Sequence, residues 1–381
     1  APAGLRESRK YFPELESLRG LAILLVFAYH ADGVLVGTKH HASPLLAFAR
    51  AGHTGVALFF ILSGFLLSLP FLAEAAGGKR QARRAYYVRR ALRILPLYWT
   101  AVIVSTALSV RSLAGLNDAW PFLIFAKALT SQYALWPYSI GWWSLATEVQ
   151  FYLLLPLLPL LARSRRRLFC ALAVYALAYG TFVARLWHLP SMTWNIDLYS
   201  NVFGRAPLFM WGIFAAWLYR THGTAIRERL AATPWIRRGG ADVALAATFV
   251  ALGYLLRWAV IRGFWDLEVT RRHPWHVVEG ALWASILLLL LLAPLRTKRV
   301  LANPVLGAIG IVSFSLFIIH IPVVALTVLI LRGRYPDALT AWNPGSAALM
   351  AAVFVACLAA SVATYWTIER PFLVRKARLD R

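Results

Sequence analysis

The chain has 381 residues, 60% hydrophobic and 15% charged, with 16 Trp, 15 Tyr, 21 Phe and a formal charge of +24. A composition this apolar excludes an ordinary soluble domain and predicts a polytopic membrane protein, with enough aromatics for two interfacial belts. In that setting the positive charge does not indicate nucleic acid. Cys170 and Cys357, far apart in apolar runs, give neither a metal-ligand spacing nor a disulfide framework.

Ten apolar runs are long enough to span a bilayer, near 20–38, 54–72, 92–110, 141–161, 168–187, 202–219, 241–259, 277–295, 304–331 and 345–368. The first begins at Arg19 and meets no small-x-small cleavage site before the second, so it reads as a span and not as a cleavable signal peptide. The ninth is longer than a bilayer needs and holds Pro304 and Pro322, which predicts tilt, a kink or an irregular end. Gly77-Gly78 and Gly239-Gly240 mark loops. No repeat period interrupts the pattern, so 1–381 reads as a single membrane domain. With the N-terminus inside, ten spans leave both termini cytoplasmic, 1–18 as an entering segment and 369–381 as a basic tail. The inner segments 1–20, 73–93, 162–168, 220–240, 295–300 and 369–381 then hold 28 of the 40 Lys and Arg residues. Shifting the count by one span loses that asymmetry, so much of the charge serves topology and contact with anionic lipid.

Polar groups inside the runs are the candidate functional residues. Arg19 and His30 are eleven residues apart on the first run, roughly 16 Å of helix rise, and fall within about 20° of one face. A midplane histidine either bonds a neighbouring helix as packing or lines a polar site. Ser63-Gly64 interrupts the second run. Ahead of the third, Lys79, Arg80, Arg83, Arg84, Arg89, Arg90 and Arg93 form a basic cluster. Arg90 and Arg93 share a helical face, and their guanidinium forks suit a phosphorylated ligand arriving from the cytoplasm. On the fourth run Ser144, Glu148 and Tyr152 recur every four residues as one polar stripe. On the ninth, Ser313 and His320 lie on one face. Two His and one Glu in different spans predict a central polar cavity with proton chemistry. The outer segments Trp120 to Trp143 and Trp265-Asp266 to His276, with Arg271-Arg272-His273, suit either sugars or an interfacial belt.

Taken together these residues resemble the integral-membrane acyltransferase family 3. The resemblance rests on Arg19-x10-His30 after Leu15-Glu16-Ser17-Leu18, on Phe59 to Phe65 around Ser63-Gly64, and on Arg90-x-x-Arg93-x-x-Pro96. It continues through Trp143-Ser144-Leu145 with Glu148 and Phe151-Tyr152, through Ser313-Phe314-Ser315 leading to His320, and ends at Glu369-Arg370-Pro371. It implies an O-acyltransferase of the bacterial inner (cytoplasmic) membrane, transferring groups other than aminoacyl groups. The implied donor is acyl-CoA, acetyl-CoA first among the choices, and the implied acceptor is a hydroxyl on an extracytoplasmic glycan or lipid-linked sugar. Members of the family often carry a fused extracellular hydrolase-like domain. The chain ends at Arg381, so it is expected to deliver acyl groups without one.

The residues admit a matching mechanism. Arg19, Arg90 and Arg93 would hold the donor phosphates, and a pantetheine arm on the order of the Arg19–His30 rise would bring the thioester to His30. His30 would act as general base on the acceptor hydroxyl or, alternatively, relay the acyl group covalently. Asp32, about 200° round the helix from His30, is the poorer orienter. Glu148 is therefore expected to orient or charge His30. Ser63, Ser144, Tyr152, Ser313 and His320 are the cavity or oxyanion candidates, and no metal is expected. Alternatives from other classes are acylation of a cytoplasmic small molecule such as a macrolide, and a proton-coupled transporter. Inverted halves and paired broken spans, which a transporter would favour, are absent from the sequence.

Overall fold

The fold is taken from a computed structural model, which describes residues 12–32, 50–109, 120–125, 140–188, 200–261, 275–332 and 344–378. Among these residues every regular element is helical. The principal helices are α1 (Pro13–Ala31), α2 (Thr54–Ala75), α3 (Arg83–Ser109), α4 (Trp143–Leu154), α5 (Arg165–His188) and α6 (Val202–Ala232). They continue with α7 (Ala241–Ile261), α8 (Trp275–Leu292), α9 (Pro304–Ile311), α10 (Ser313–Arg332), α11 (Pro344–Thr364) and α12 (Arg370–Arg378). Short helical turns at Ala51–His53, Trp120–Leu123, Leu155–Leu157, Leu158–Ala162 and Lys298–Leu301 join or extend them.

Among the described residues, eight helices are long and apolar enough to cross a membrane, or up to nine with the bent pair Lys298–Ile311 and Ser313–Thr327 as one span. The chain is thus an all-α polytopic membrane protein, as its composition predicts. The helix covering the first expected run, α1, lies outside that count, and its first two turns carry Glu14, Glu16 and Arg19. Pro13 sits in the first turn of α1, where its missing N–H is not needed, and Glu14 and Glu16 lie at the positive end of the helix dipole. Asn201 caps α6, its side chain accepting from the Gly204 amide at 3.0 Å.

The ninth run is broken as expected, but at a different place from its prolines. The chain bends by 65° between α9 and α10, across Val312, whereas Pro322 lies inside continuous helix. Proline leaves the carbonyl four residues earlier without its helical donor. For Pro322 that carbonyl is Ile318, and the Trp142 indole N–H reaches it at 3.4 Å. The same repair occurs at Pro207 of α6, where the Tyr175 hydroxyl donates to the Phe203 carbonyl at 3.0 Å. Spans can carry prolines where neighbouring helices supply these donors. At the two expected loops, Gly77 and Gly239 have φ of +89° and +117°, the left-handed region open to glycine.

By internal packing the chain divides into two units. One comprises Ala1–Gly55, Arg84–Ala146 and Pro304–Arg381, the other Val56–Arg83 and Thr147–Asn303. In the first unit α1 packs on α9 and α10, and α10 on α11. The crossing of α1 and α9 depends on two glycines. A Cβ at Gly20 would run into the Leu306 carbonyl oxygen, and one at Gly310 into that of Glu16. In the second unit α8 packs on α6 and α7, and Gly64 of α2 meets the backbone of Phe209 and Gly212 on α6. Such close backbone approach is how helices pack where lipid is as apolar as the side chains.

Candidate active site

In the first unit, α1 and α10 meet at two levels. The Arg19 guanidinium donates to the Ser313 hydroxyl at 3.3 Å. Further along both helices, His30 Nδ1 lies 3.2 Å from His320 Nε2, with ring centroids 5.0 Å apart. The sequence places Arg19 with His30 and Ser313 with His320, each pair on one helix, and the fold brings the two pairs side by side.

The hydrogen bonds at the second level assign the tautomers. His320 is fully buried, and its Nδ1 lies 2.9 Å from the Phe317 carbonyl and 3.0 Å from that of Leu316. Carbonyls only accept, so Nδ1 carries the proton and Nε2 bears a lone pair. That lone pair faces His30 Nδ1, which must in turn be the protonated nitrogen; it also lies 2.9 Å from the Val26 carbonyl. His30 Nε2 is then left as the basic nitrogen. Backbone carbonyls on α10 thus fix, through His320, which nitrogen of the His30 ring on α1 keeps its lone pair.

The bend between α9 and α10 is followed at once by Ser313-Phe314-Ser315, and each of these residues has a charged partner. Ser313 accepts from Arg19. The Phe314 ring lies under the Arg93 guanidinium, 5.4 Å to its centroid. The Ser315 hydroxyl donates to Glu369 Oε2 at 2.8 Å, and Glu369 Oε1 pairs with Arg93. Glu369 is the last residue of a π-type turn, Tyr365–Glu369, between α11 and α12, an irregularity often found at functional positions. Arg90 sits one turn before Arg93, half-buried. The basic cluster is also more helical than its loop-like composition suggests, because α3 begins at Arg83.

In the second unit Glu148 is held by two hydroxyls, Ser63 and Tyr152, each donating to Oε1 at 2.5 Å. Ser63-Gly64 therefore divides its work, the serine binding the carboxylate and the glycine admitting α6. Of the expected stripe on α4, Tyr152 and Glu148 are joined. Ser144 turns back to the Gly141 carbonyl at 3.1 Å. Asp32 pairs with Arg50 at 3.2 Å. Of the outer segments, residues 126–139 and 262–274, including Trp265, Asp266, Arg271, Arg272 and His273, lie outside the described residues.

Three groups escaped sequence reasoning. Glu369 was visible only as part of a motif, though a carboxylate at the end of an apolar run is a signal for a buried basic partner. Trp142 has no sequence signal for its role, since the carbonyl it serves is 176 residues away. Arg205, His276 and Glu279 form a buried network on α6 and α8, and an Arg and a Glu inside two apolar runs could have identified it. Among the described residues no group of three or more His, Cys, Asp or Glu could hold a metal ion.

A family model described as an acyltransferase domain matches residues 12–366. The chain is similar to Peptidoglycan O-acetyltransferase OatA of Listeria monocytogenes serovar 1/2a, 29% identical over 165 residues, which is 40% of this chain and 24% of that protein. It is similar along most of its length to Acyltransferase MdmB of Streptomyces mycarofaciens, 25% identical over 377 residues, 94% of this chain and 91% of that one. With O-acetyltransferase OatA of Staphylococcus aureus (strain NCTC 8325 / PS 47) it shares 26% identity over 164 residues, 39% of this chain and 25% of that protein. The matched region therefore spans about a quarter of the two OatA proteins. No solved structure matches.

Proposed function

The chain belongs to the acyltransferase domain family that this match defines, and on that premise we propose that it is a membrane O-acyltransferase using acyl-CoA. The acyl group, acetyl in the simplest case, passes from the cytoplasmic donor to a hydroxyl of an extracytoplasmic glycan or lipid-linked sugar. The observation that carries the chemistry is the tautomer chain from the α10 carbonyls through His320 to His30, which leaves His30 Nε2 as the base. His30 takes the proton of the acceptor hydroxyl as that oxygen attacks the thioester carbonyl. The C–S bond then breaks, an ester remains on the acceptor, and the proton leaves with the CoA thiol. As the imidazole becomes charged, its Nδ1–H donates to His320 Nε2, so the pair strengthens when charge develops.

Arg19, Arg90 and Arg93 are the proposed phosphate ligands. Supporting this, Arg19 and Arg93 both rest on Ser313-Phe314-Ser315, and a guanidinium fork matches phosphate geometry. Glu148, fixed between two hydroxyls, is proposed as the second catalytic group. The distribution of Lys and Arg supports donor entry from the cytoplasmic side.

The test uses oriented proteoliposomes. Acyl-CoA on the Arg90 side and a membrane-impermeant acceptor on the Trp143 side should together give turnover, with CoA released on the donor side. Turnover only when acceptor shares the donor's compartment would reject transfer across the membrane and favour a cytoplasmic acceptor. His30→Ala should abolish transfer while donor binding and folding persist.

A further inference from the structure

Arg205, His276 and Glu279 are 3%, 1% and 0% exposed, in runs that would otherwise be packed with apolar side chains. Arg205 Nη1 lies 2.8 Å from His276 Nε2 and 3.2 Å from Nδ1; because Nδ1 faces a carboxylate, the nearer Nε2 is the nitrogen that accepts from the arginine. His276 Nδ1 then carries the proton and donates to Glu279 Oε2 at 2.7 Å. A neutral imidazole thus relays between a buried cation and a buried anion. Buried ion pairs are weak sources of stability, and apolar replacement is often neutral or better, so stability alone does not account for the relay.

Its position supplies one. Arg205 lies in the first turn of α6, and three other groups hold the same turn. The Thr147 hydroxyl donates to the Ser200 carbonyl at 2.8 Å, and the Gln150 side chain accepts from the Val202 amide at 2.9 Å. Tyr175 supplies the donor that Pro207 cannot. Thr147 and Gln150 flank Glu148 on α4. The start of α6 is therefore tied to α8 by the relay and to the Glu148 turn by two hydrogen bonds.

We infer that Arg205, His276 and Glu279 are positioning residues that hold the first turn of α6 in register, and through Thr147 and Gln150 fix the carboxylate of Glu148. The inference rests on Glu148 acting in the transfer reaction. In the absence of the relay the chain folds, but Glu148 is held less well and the chemical step slows. Donor affinity is unaffected, because the proposed phosphate ligands belong to the other unit.

The experiment compares wild type with the triple variant Arg205→Met, His276→Leu, Glu279→Leu, purified in detergent, by thermal unfolding and by acyl-transfer kinetics. The expected result is a melting temperature near wild type, donor KM within about twofold, and kcat lower by about tenfold or more, the scale of one misplaced contact to a reacting group. Wild-type kcat in the folded triple variant, or a donor KM that rises in step with the loss of kcat, overturns the inference. If the triple variant does not fold, Thr147→Val decides, since it removes one tie with little change of volume. It should lower kcat several-fold at unchanged melting temperature, and wild-type kcat overturns the inference. Glu148→Gln is measured alongside. Full activity there overturns the role of Glu148 itself, whereas an inactive Glu148→Gln beside a normal relay variant overturns only the relay.

Discussion

His320 is the residue whose replacement most directly tests the tautomer chain. In His320→Leu the ring that accepts from His30 Nδ1 at 3.2 Å is lost, while the Val26 carbonyl, 2.9 Å from the same nitrogen, remains. His30 therefore keeps its tautomer and its basic Nε2, and loses one acceptor for the charge that forms during proton transfer. A hydrogen bond to a charged group is worth about 1.5–3 kcal/mol. At about 1.36 kcal/mol per tenfold, that predicts a fall in kcat of roughly 10- to 150-fold. The loss should be smaller than that of His30→Ala. In His320→Gln, a side-chain oxygen can stand where Nε2 stood and restore part of the rate. The assay follows CoA thiol release and acyl-acceptor formation together, with donor KM measured for each variant. His320→Leu at the wild-type kcat would refute the argument, as would a rate equal to that of His30→Ala with no recovery in His320→Gln.

Gly20→Ala drives a methyl group into the Leu306 carbonyl, so it should cost about 1–3 kcal/mol by overpacking, read as a lower melting temperature, with donor KM unchanged for the protein that remains folded. Glu369→Gln strips Arg93 of a carboxylate whose side chain is 1% exposed and should cost about 3–5 kcal/mol. An Arg93→Met, Glu369→Met double variant should melt above that single variant, and strictly additive losses would count against the pair. Arg90→Ala should raise donor KM about tenfold or more with little change in kcat, and Arg90→Lys should recover only part of it, because the bidentate fork is lost. An unchanged KM in both would assign Arg90 to topology alone.

Much of the fold follows from hydrophobic runs, and its departures from them have physical causes. The third run begins at 92, but α3 begins at Arg83, because an apolar run marks where lipid contact starts and a helix can extend beyond it. Likewise α6 runs to Ala232, past the expected end near 219. The prolines predicted a break in the ninth run, and the break lies instead at Val312. Pro322 is accommodated because Trp142 supplies the missing donor to Ile318. No local pattern announces a donor brought in by another helix.

The candidate site was legible one helix at a time. Spacing placed Arg19 with His30, Ser313 with His320, and Glu148 with Tyr152, since each relation follows from helix geometry alone. Pairings between helices depend on register, which spacing within one helix does not determine. Hence the contacts of His30 with His320 and of Arg93 with Glu369 emerge only from the fold. Those contacts also return information about topology. Arg19 meets Ser313 and His30 meets His320, so α1 and α10 run in the same sense. Arg93 lies on Phe314, while Tyr98 packs on Trp142, which reaches Ile318, so α3 shares that sense. Helices of one sense must be separated in the chain by an odd number of crossings. Among the described residues, one membrane-length helix, α2, lies between α1 and α3, and five lie between α3 and α10. Both numbers are odd, as one shared sense requires. The same sense puts Arg19, Arg93 and the Ser313-Phe314-Ser315 segment at one end of their helices, with the two histidines about 10 Å further along α10.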